Sequence, residues 1–176
     1  MIMEEVWGKV PAFVVIDVQK KFYLDRADWE QKSVSMVRGI NEVAAMFREA
    51  GRPVIFVRFN GPTCRPYDGP DGDDFLEGLE VCDGDIIVEK NHMNSFLDTD
   101  LEERIRSNGC DTAVLSGVVA QYCVMSTYFA AFDHNIKSYL AEGTYAGTTQ
   151  ELEDSVSNIC KVLTKERLGR FLTEGK

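Results

Sequence analysis

Breaking an amide bond by acyl transfer needs a nucleophile, a proton acceptor and a charge partner, and Cys123, Asp17 and Lys90 offer a thiol, a carboxylate and an ammonium. A free thiol with a pKa of about 8.5 is mostly protonated at neutral pH, so it needs help to react. A cation and a helix N-terminus both favour thiolate, and Lys90 with the start of a helix near Gln121 supplies both in this reading. Asp17 would accept the thiol proton and return it to a departing amine. Backbone N–H groups of the turn Gly117-Val-Val-Ala-Gln-Tyr-Cys123 would face a developing oxyanion. Each residue taken alone has a bland alternative: Asp17 as a turn cap, Lys90 as a solvated charge, Cys123 as a small core residue. The combination raises the chemical reading above the bland one.

The elements that must position these residues follow from the hydrophobic pattern. Residues 10–16 are a short β-branched apolar run ending at Asp17, as a strand covered on both faces requires. Residues 33–50 place Val34, Val37, Ile40, Val43, Ala44 and Phe47 at helical spacing and stop at Gly51. Strands are expected at 52–58, 85–89, 112–116, 136–141 and 160–163, with helices over 99–107, 121–132 and 149–158. Such alternation predicts an α/β fold with a doubly wound, mainly parallel sheet and helices on both faces, a Rossmann-like three-layer sandwich. Functional residues then gather at the carboxyl ends of the strands, where Asp17, Lys90 and Cys123 all fall. The one long irregular stretch, 59–84, is rich in Gly, Pro and Asp and reads as a lid or mobile insertion.

Bulk properties narrow the function class. The 176 residues suit a single domain over 1–176. A formal net charge of -10 gives a phosphate backbone no general attraction, which argues against a nucleic-acid partner. No apolar stretch approaches membrane-span length, and residues 1–7 are acidic with no leader-like apolar region after them, so a cytoplasmic, membrane-free protein is expected. Five cysteines without a C-x-x-C pair and only two histidines fit neither a zinc ribbon nor a secreted disulfide framework.

Asp17-Val-Gln19-Lys-Lys-Phe22, Lys90-Asn-His-Met-Asn94-Ser95-Phe96 and Gly117-Val-Val-Ala-Gln-Tyr-Cys123-Val124 resemble, in order, the Asp-x-Gln-x-x-Phe motif, the lysine segment and the nucleophile turn of the isochorismatase-like cysteine hydrolases. Matches continue through Phe96-Leu-Asp-Thr-Asp-Leu101 and Thr164-Lys-Glu-Arg-Leu168, so the resemblance spans nearly the whole chain. It implies a sheet of about six strands, a thioester on Cys123, Asp17 as general base and Lys90 supporting the charged groups. It further implies a cis peptide at Val118-Val119, an oxyanion hole from the N–H groups of Val119 and Cys123, and a homodimer or homotetramer.

Departures from the family pattern sharpen the substrate class. Nicotinamidases of this family carry a metal-binding Asp-x-His and a second His after the second strand, whereas Arg58-Phe-Asn-Gly-Pro-Thr-Cys64 contains no histidine. His92 and His134 read as solvated residues, so no metal or other cofactor is expected. Isochorismate-cleaving members lack the nucleophilic cysteine that is present here. What the resemblance leaves is hydrolysis of a C–N bond in a small amide, ureide or N-carbamoyl compound, with a nicotinamidase or pyrazinamidase as one alternative and a non-catalytic ligand- or partner-binding member as another. Phe22 and Tyr122 would wall the pocket, and Arg58 or Asn60 would hold a substrate carboxylate or amide. Residues 68–74 lack the ligand spacing of a calcium loop and read as a solvated flexible segment. Cys110 and Cys160 read as buried, and Cys64 as exposed and oxidisable.

Overall fold

The structure is a computed structural model and describes residues 10–63 and 69–174. Six strands, β1 (Pro11–Ile16), β2 (Val54–Phe59), β3 (Ile86–Lys90), β4 (Thr112–Val118), β5 (Lys137–Ala146) and β6 (Val162–Leu163), form one sheet in the order β3-β2-β1-β4-β5-β6. Every pairing is parallel. The α-helices are α1 (Trp29–Glu49), α2 (Leu101–Ser107), α3 (Met125–Asp133), α4 (Gln150–Ile159) and α5 (Lys165–Glu174).

Strand periodicity explains the three layers. Along β1, Ala12, Val14 and Ile16 join a core shared with α2, α3 and α4, while Phe13 and Val15 join a second core shared with α1 and α5. All six β1 residues are buried, which is why the run reads as continuously apolar rather than alternating. Strand order reverses between β1 and β4, and ligands of open α/β sheets bind outside the carboxyl ends of strands at such a switch point.

Several boundaries differ from the sequence expectation, each for a tertiary reason. Helix α1 begins a turn earlier, at Trp29, because Trp29 and Met36 face the core; Val34, expected inside, is exposed. Strand β5 runs on to Ala146 because the β4 register breaks between Leu115 and Gly117, and Thr144 closes the extra residues by donating to the Ala141 carbonyl at 2.8 Å. Helix α5 was not expected; Leu168, Phe171 and Leu172 provide its buried stripe. The expected helix over 121–132 is two pieces, a π-helical turn at Ala120–Val124 followed by α3.

Within the stretch between β2 and β3, residues 69–76 are pinned rather than loosely solvated. Gln19 bridges Phe75, Lys20 N–H donates to Asp74 O at 2.9 Å, Lys21 N–H to Gly72 O at 3.0 Å, and Leu76 N–H to Val18 O at 2.9 Å. Asp71 pairs with Lys20 and Asp73 with Lys21, so residues 69–76 form a strap held against the end of β1. This corrects the reading of the acidic segment as a flexible loop; Asp68 and Cys64 lie outside the described residues, as does the N-terminal segment on which the absence of a leader was argued.

Candidate active site

Asp17 follows the last residue of β1, Lys90 ends β3 and Cys123 lies in the π-helical turn after β4. The sheet order carries all three to one edge, across the switch point. The close approach of β1 and β4 there depends on Gly117, which pairs with Ile16 at φ 107. A Cβ at Gly117 would lie 2.0 Å from the Ile16 carbonyl oxygen, so only glycine lets the two strand ends meet. One residue further on, the Val118-Val119 peptide bond is cis. Val119 O accepts from the N–H groups of Tyr122 at 2.9 Å and Val124 at 3.4 Å, which winds the turn that carries Cys123.

Asp17 and Lys90 have fully buried side chains, and Lys90 Nζ stands 2.9 Å from Asp17 Oδ2. The ammonium also donates to Met93 O at 3.0 Å. Lys90 and the Cys123 thiol both draw the Asp17 pKa down, yet burial outweighs them and raises it above the ordinary carboxylate range. Beyond the Lys90 ammonium and the Cys123 thiol, the described residues offer the Asp17 oxygens no hydrogen-bond donor. Asp17 is therefore a stronger base than a solvated aspartate, with lone pairs open to an incoming proton.

Cys123 is 8% exposed, and its pKa is pushed up to about 12 by burial and by the Asp17 charge, against the lowering effect of Lys90. Desolvation and the neighbouring carboxylate thus oppose the thiolate that Lys90 and a helix N-terminus were expected to favour, and the balance is toward a thiol beside a base.

Residues flanking the centre divide into two groups. Phe22 meets Phe59 edge-on at 5.7 Å between ring centroids, Asn60 is exposed with its N–H on Lys90 O at 2.9 Å, and Tyr122 is exposed beside Cys123. Arg58 pairs with Glu89 rather than facing the site unpartnered, its Nε donating to Glu89 Oε1 at 2.8 Å across the β2–β3 pairing. His92 pairs with Asp98 at 3.2 Å, and His134 sits 2.6 Å from Glu102 and stacks on Phe96, so neither histidine joins a ligand set at the site. Among the described residues no group of His, Cys, Asp and Glu converges as a metal-binding set. Residues 58–63 also lack the histidine chemistry such a centre needs. An open groove between β3 and α2, lined by Glu89, Asp98, Asp100 and Glu102, lies apart from the chemistry, and those four carboxylates are engaged by Arg58, His92, Arg104 and Arg106.

Two positioning devices escaped the sequence reading. Gln19, quoted only as a motif letter, is fully buried; its Oε1 accepts from Phe59 N–H at 2.8 Å, and its Nε2 donates to Phe59 O at 3.2 Å and Asp73 O at 3.1 Å. A buried amide immediately before a 3₁₀ turn has no periodic signature, and only its partners reveal it. The pair Ser95 and Thr127 is also buried: Ser95 N–H donates to Thr127 Oγ1 at 3.1 Å, and Thr127 Oγ1 donates to Ser95 Oγ at 2.9 Å, fastening the lysine segment to α3. Cys110 and Cys160 are buried with pKa values near 11, while Cys82 is exposed.

The isochorismatase domain family matches residues 11–165, and the chain belongs to that family of hydrolases. It is similar to the isochorismatase family protein YecD of Escherichia coli, with 29% identity over 94% of this chain and 95% of YecD. The crystal structure of N-carbamoylsarcosine amidase from Thermoplasma acidophilum superposes with a TM-score of 0.73 at 26% identity, covering 89% of this chain and 95% of the amidase. The ureidoacrylate amidohydrolase RutB of Pseudomonas savastanoi is 28% identical over 66% of this chain and 62% of its own length. No described helix is long and apolar enough to cross a membrane.

Proposed function

We propose that this hydrolase cleaves the C–N bond of a small amide, ureide or N-carbamoyl compound through a thioester on Cys123. The observation that carries the reading is the burial of Asp17, Lys90 and Cys123 together, with no donor to the Asp17 oxygens beyond Lys90 and Cys123 among the described residues. Buried polar groups are ordinarily satisfied, and an exception at a sheet switch point marks chemistry. Similarity to an N-carbamoylsarcosine amidase and a ureidoacrylate amidohydrolase supports the same bond type.

In this mechanism the Cys123 proton passes to Asp17 as sulfur bonds to the carbonyl carbon, because a thiol with a pKa near 12 attacks only when its proton leaves in the same step. The N–H groups of Val119 and Cys123 receive the negative charge that builds on the carbonyl oxygen. Asp17 then returns the proton to the departing nitrogen, the C–N bond breaks, and ammonia or an amine leaves. Water attacks the thioester with Asp17 taking its proton; the acid is released and the sulfur regains the proton. The Lys90 ammonium, 2.9 Å from Asp17 Oδ2, balances the Asp17 charge.

The test is a panel of N-carbamoyl amino acids, ureides and small amides, followed by ammonia release and by intact mass of acid-quenched protein. The reading expects turnover with a transient acyl adduct on Cys123, and neither with Cys123→Ala. Turnover that survives Cys123→Ala would overturn it, and hydrolysis confined to nicotinamide or pyrazinamide would move the assignment to that alternative.

A further inference from the structure

The strap 69–76 is fastened to the turn after β1 by an ion pair of unequal partners. Lys21 Nζ lies 2.5 Å from Asp73 Oδ1, with the lysine side chain 9% exposed and the aspartate 69% exposed. The ammonium also sits over the Phe59 ring, 5.3 Å from its centroid, and 3.5 Å from Gly61 O. Phe59 in turn contacts Phe22 and pairs in register with Lys90, so this cation lies at the same carboxyl edge of the sheet as Asp17 and Lys90. It is near enough to Asp17 to contribute to lowering that carboxyl's pKa.

A nearly buried ammonium has lost most of its hydration and needs an anion in compensation. Asp73 supplies one at present, but an exposed carboxylate regains its own hydration when it leaves, so exchange for another carboxylate is inexpensive. A neutral ligand offers no such exchange. Arg58, the cation singled out in the sequence, is engaged by Glu89 instead. Resting on the amidohydrolase reading, we propose that Lys21 selects substrates bearing a carboxylate at the end remote from the scissile C–N bond, that carboxylate displacing Asp73 from the ammonium. The substrate class narrows to N-acyl, ureido or N-carbamoyl acids rather than neutral amides.

Two alkylating reagents of one shape test this without a known substrate: N-iodoacetylglycine, which carries a remote carboxylate, and its neutral amide, N-iodoacetylglycinamide. In each reaction the Cys123 sulfur displaces iodide and its proton is released. Rates at Cys123 are read by peptide mass spectrometry, with exposed Cys82 as the internal reference. The ratio of acid to amide rates at Cys123 should fall about tenfold in Lys21→Gln, as expected for loss of one close ion pair shielded from water. It should recover in Lys21→Arg and rise in Asp73→Asn, where the ammonium has lost its competitor. A ratio unchanged in both Lys21→Gln and Asp73→Asn would overturn the role of Lys21 while Cys123 remained reactive. Labelling of Cys82 with Cys123 inert to both reagents would instead remove the amidohydrolase reading, and the selectivity with it.

Discussion

Two buried carboxylates lie near the same edge of the sheet, and they are treated in opposite ways. Glu153 on α4 is saturated: Arg26 Nη1 donates to it at 3.1 Å, Lys32 donates to its other oxygen, and Gly147 N–H donates at 3.2 Å. Arg26 also donates to Gly147 O at 2.8 Å and, through Nε, to Asp28 at 2.6 Å, which closes a network around the β5–α4 loop. Asp17 has one cation at 2.9 Å and, beyond it and the Cys123 thiol, no donor among the described residues. A carboxylate with filled lone pairs fixes structure, whereas one with vacant lone pairs and a raised pKa can take a proton. The contrast separates a buried charge that holds the fold from one placed to take a proton in the proposed mechanism.

Substitutions can break that contrast. Asp17→Asn should cost turnover on the order of a thousandfold or more, since the proton acceptor is lost, and should also lower the urea midpoint because the buried Lys90 ammonium loses its anion. Turnover within about tenfold of the unsubstituted protein would place Asp17 with the structural carboxylates. Glu153→Ala should destabilise the protein by about 3 kcal/mol in urea titrations by stranding Arg26 and Lys32, while the turnover of the folded protein stays near that of the unsubstituted one. Cys123 alkylation measured in the native protein should then keep climbing well past pH 9.

That pH dependence extends to stability, and its sign follows from the raised thiol pKa. Cys123 titrates near 12 when folded against 9.0 as its reference value, so its contribution to stability is full below about pH 9 and is lost as pH rises toward 12. Cys123→Ala should flatten that alkaline decline in urea midpoints; an unchanged slope would show that the thiol is not buried beside a carboxylate. The smallest effect is expected on the strap, where Asp71→Asn should leave the urea midpoint nearly unchanged because the Lys20–Asp71 pair is partly exposed.

Gly117 marks how far such effects can be read from the chain alone. Its place in the nucleophile turn was legible, but the 2.0 Å approach of a virtual Cβ to Ile16 O is a property of two strands brought together from distant parts of the sequence. Arg58 shows the opposite failure: a free-looking cation in sequence is neutralised by Glu89, its register partner on β3. The strap shows a third, since nothing local in residues 69–76 announces that Lys20, Lys21 and Gln19 will hold it down.

By itself the sequence determined the alternation of strands and helices, the α/β class, the family motifs and the three chemistry-bearing residue types at strand ends. These are local properties, written in periods of two and 3.6 residues and in short spacings. Tertiary structure alone decided which charges are saturated, that burial and Asp17 together raise the Cys123 pKa, and that Arg58 pairs with Glu89 while Lys21 pairs with Asp73 over the Phe59 ring. Protonation and pairing depend on solvent exclusion and on partners tens of residues away, and both exist only after the sheet has closed the distance.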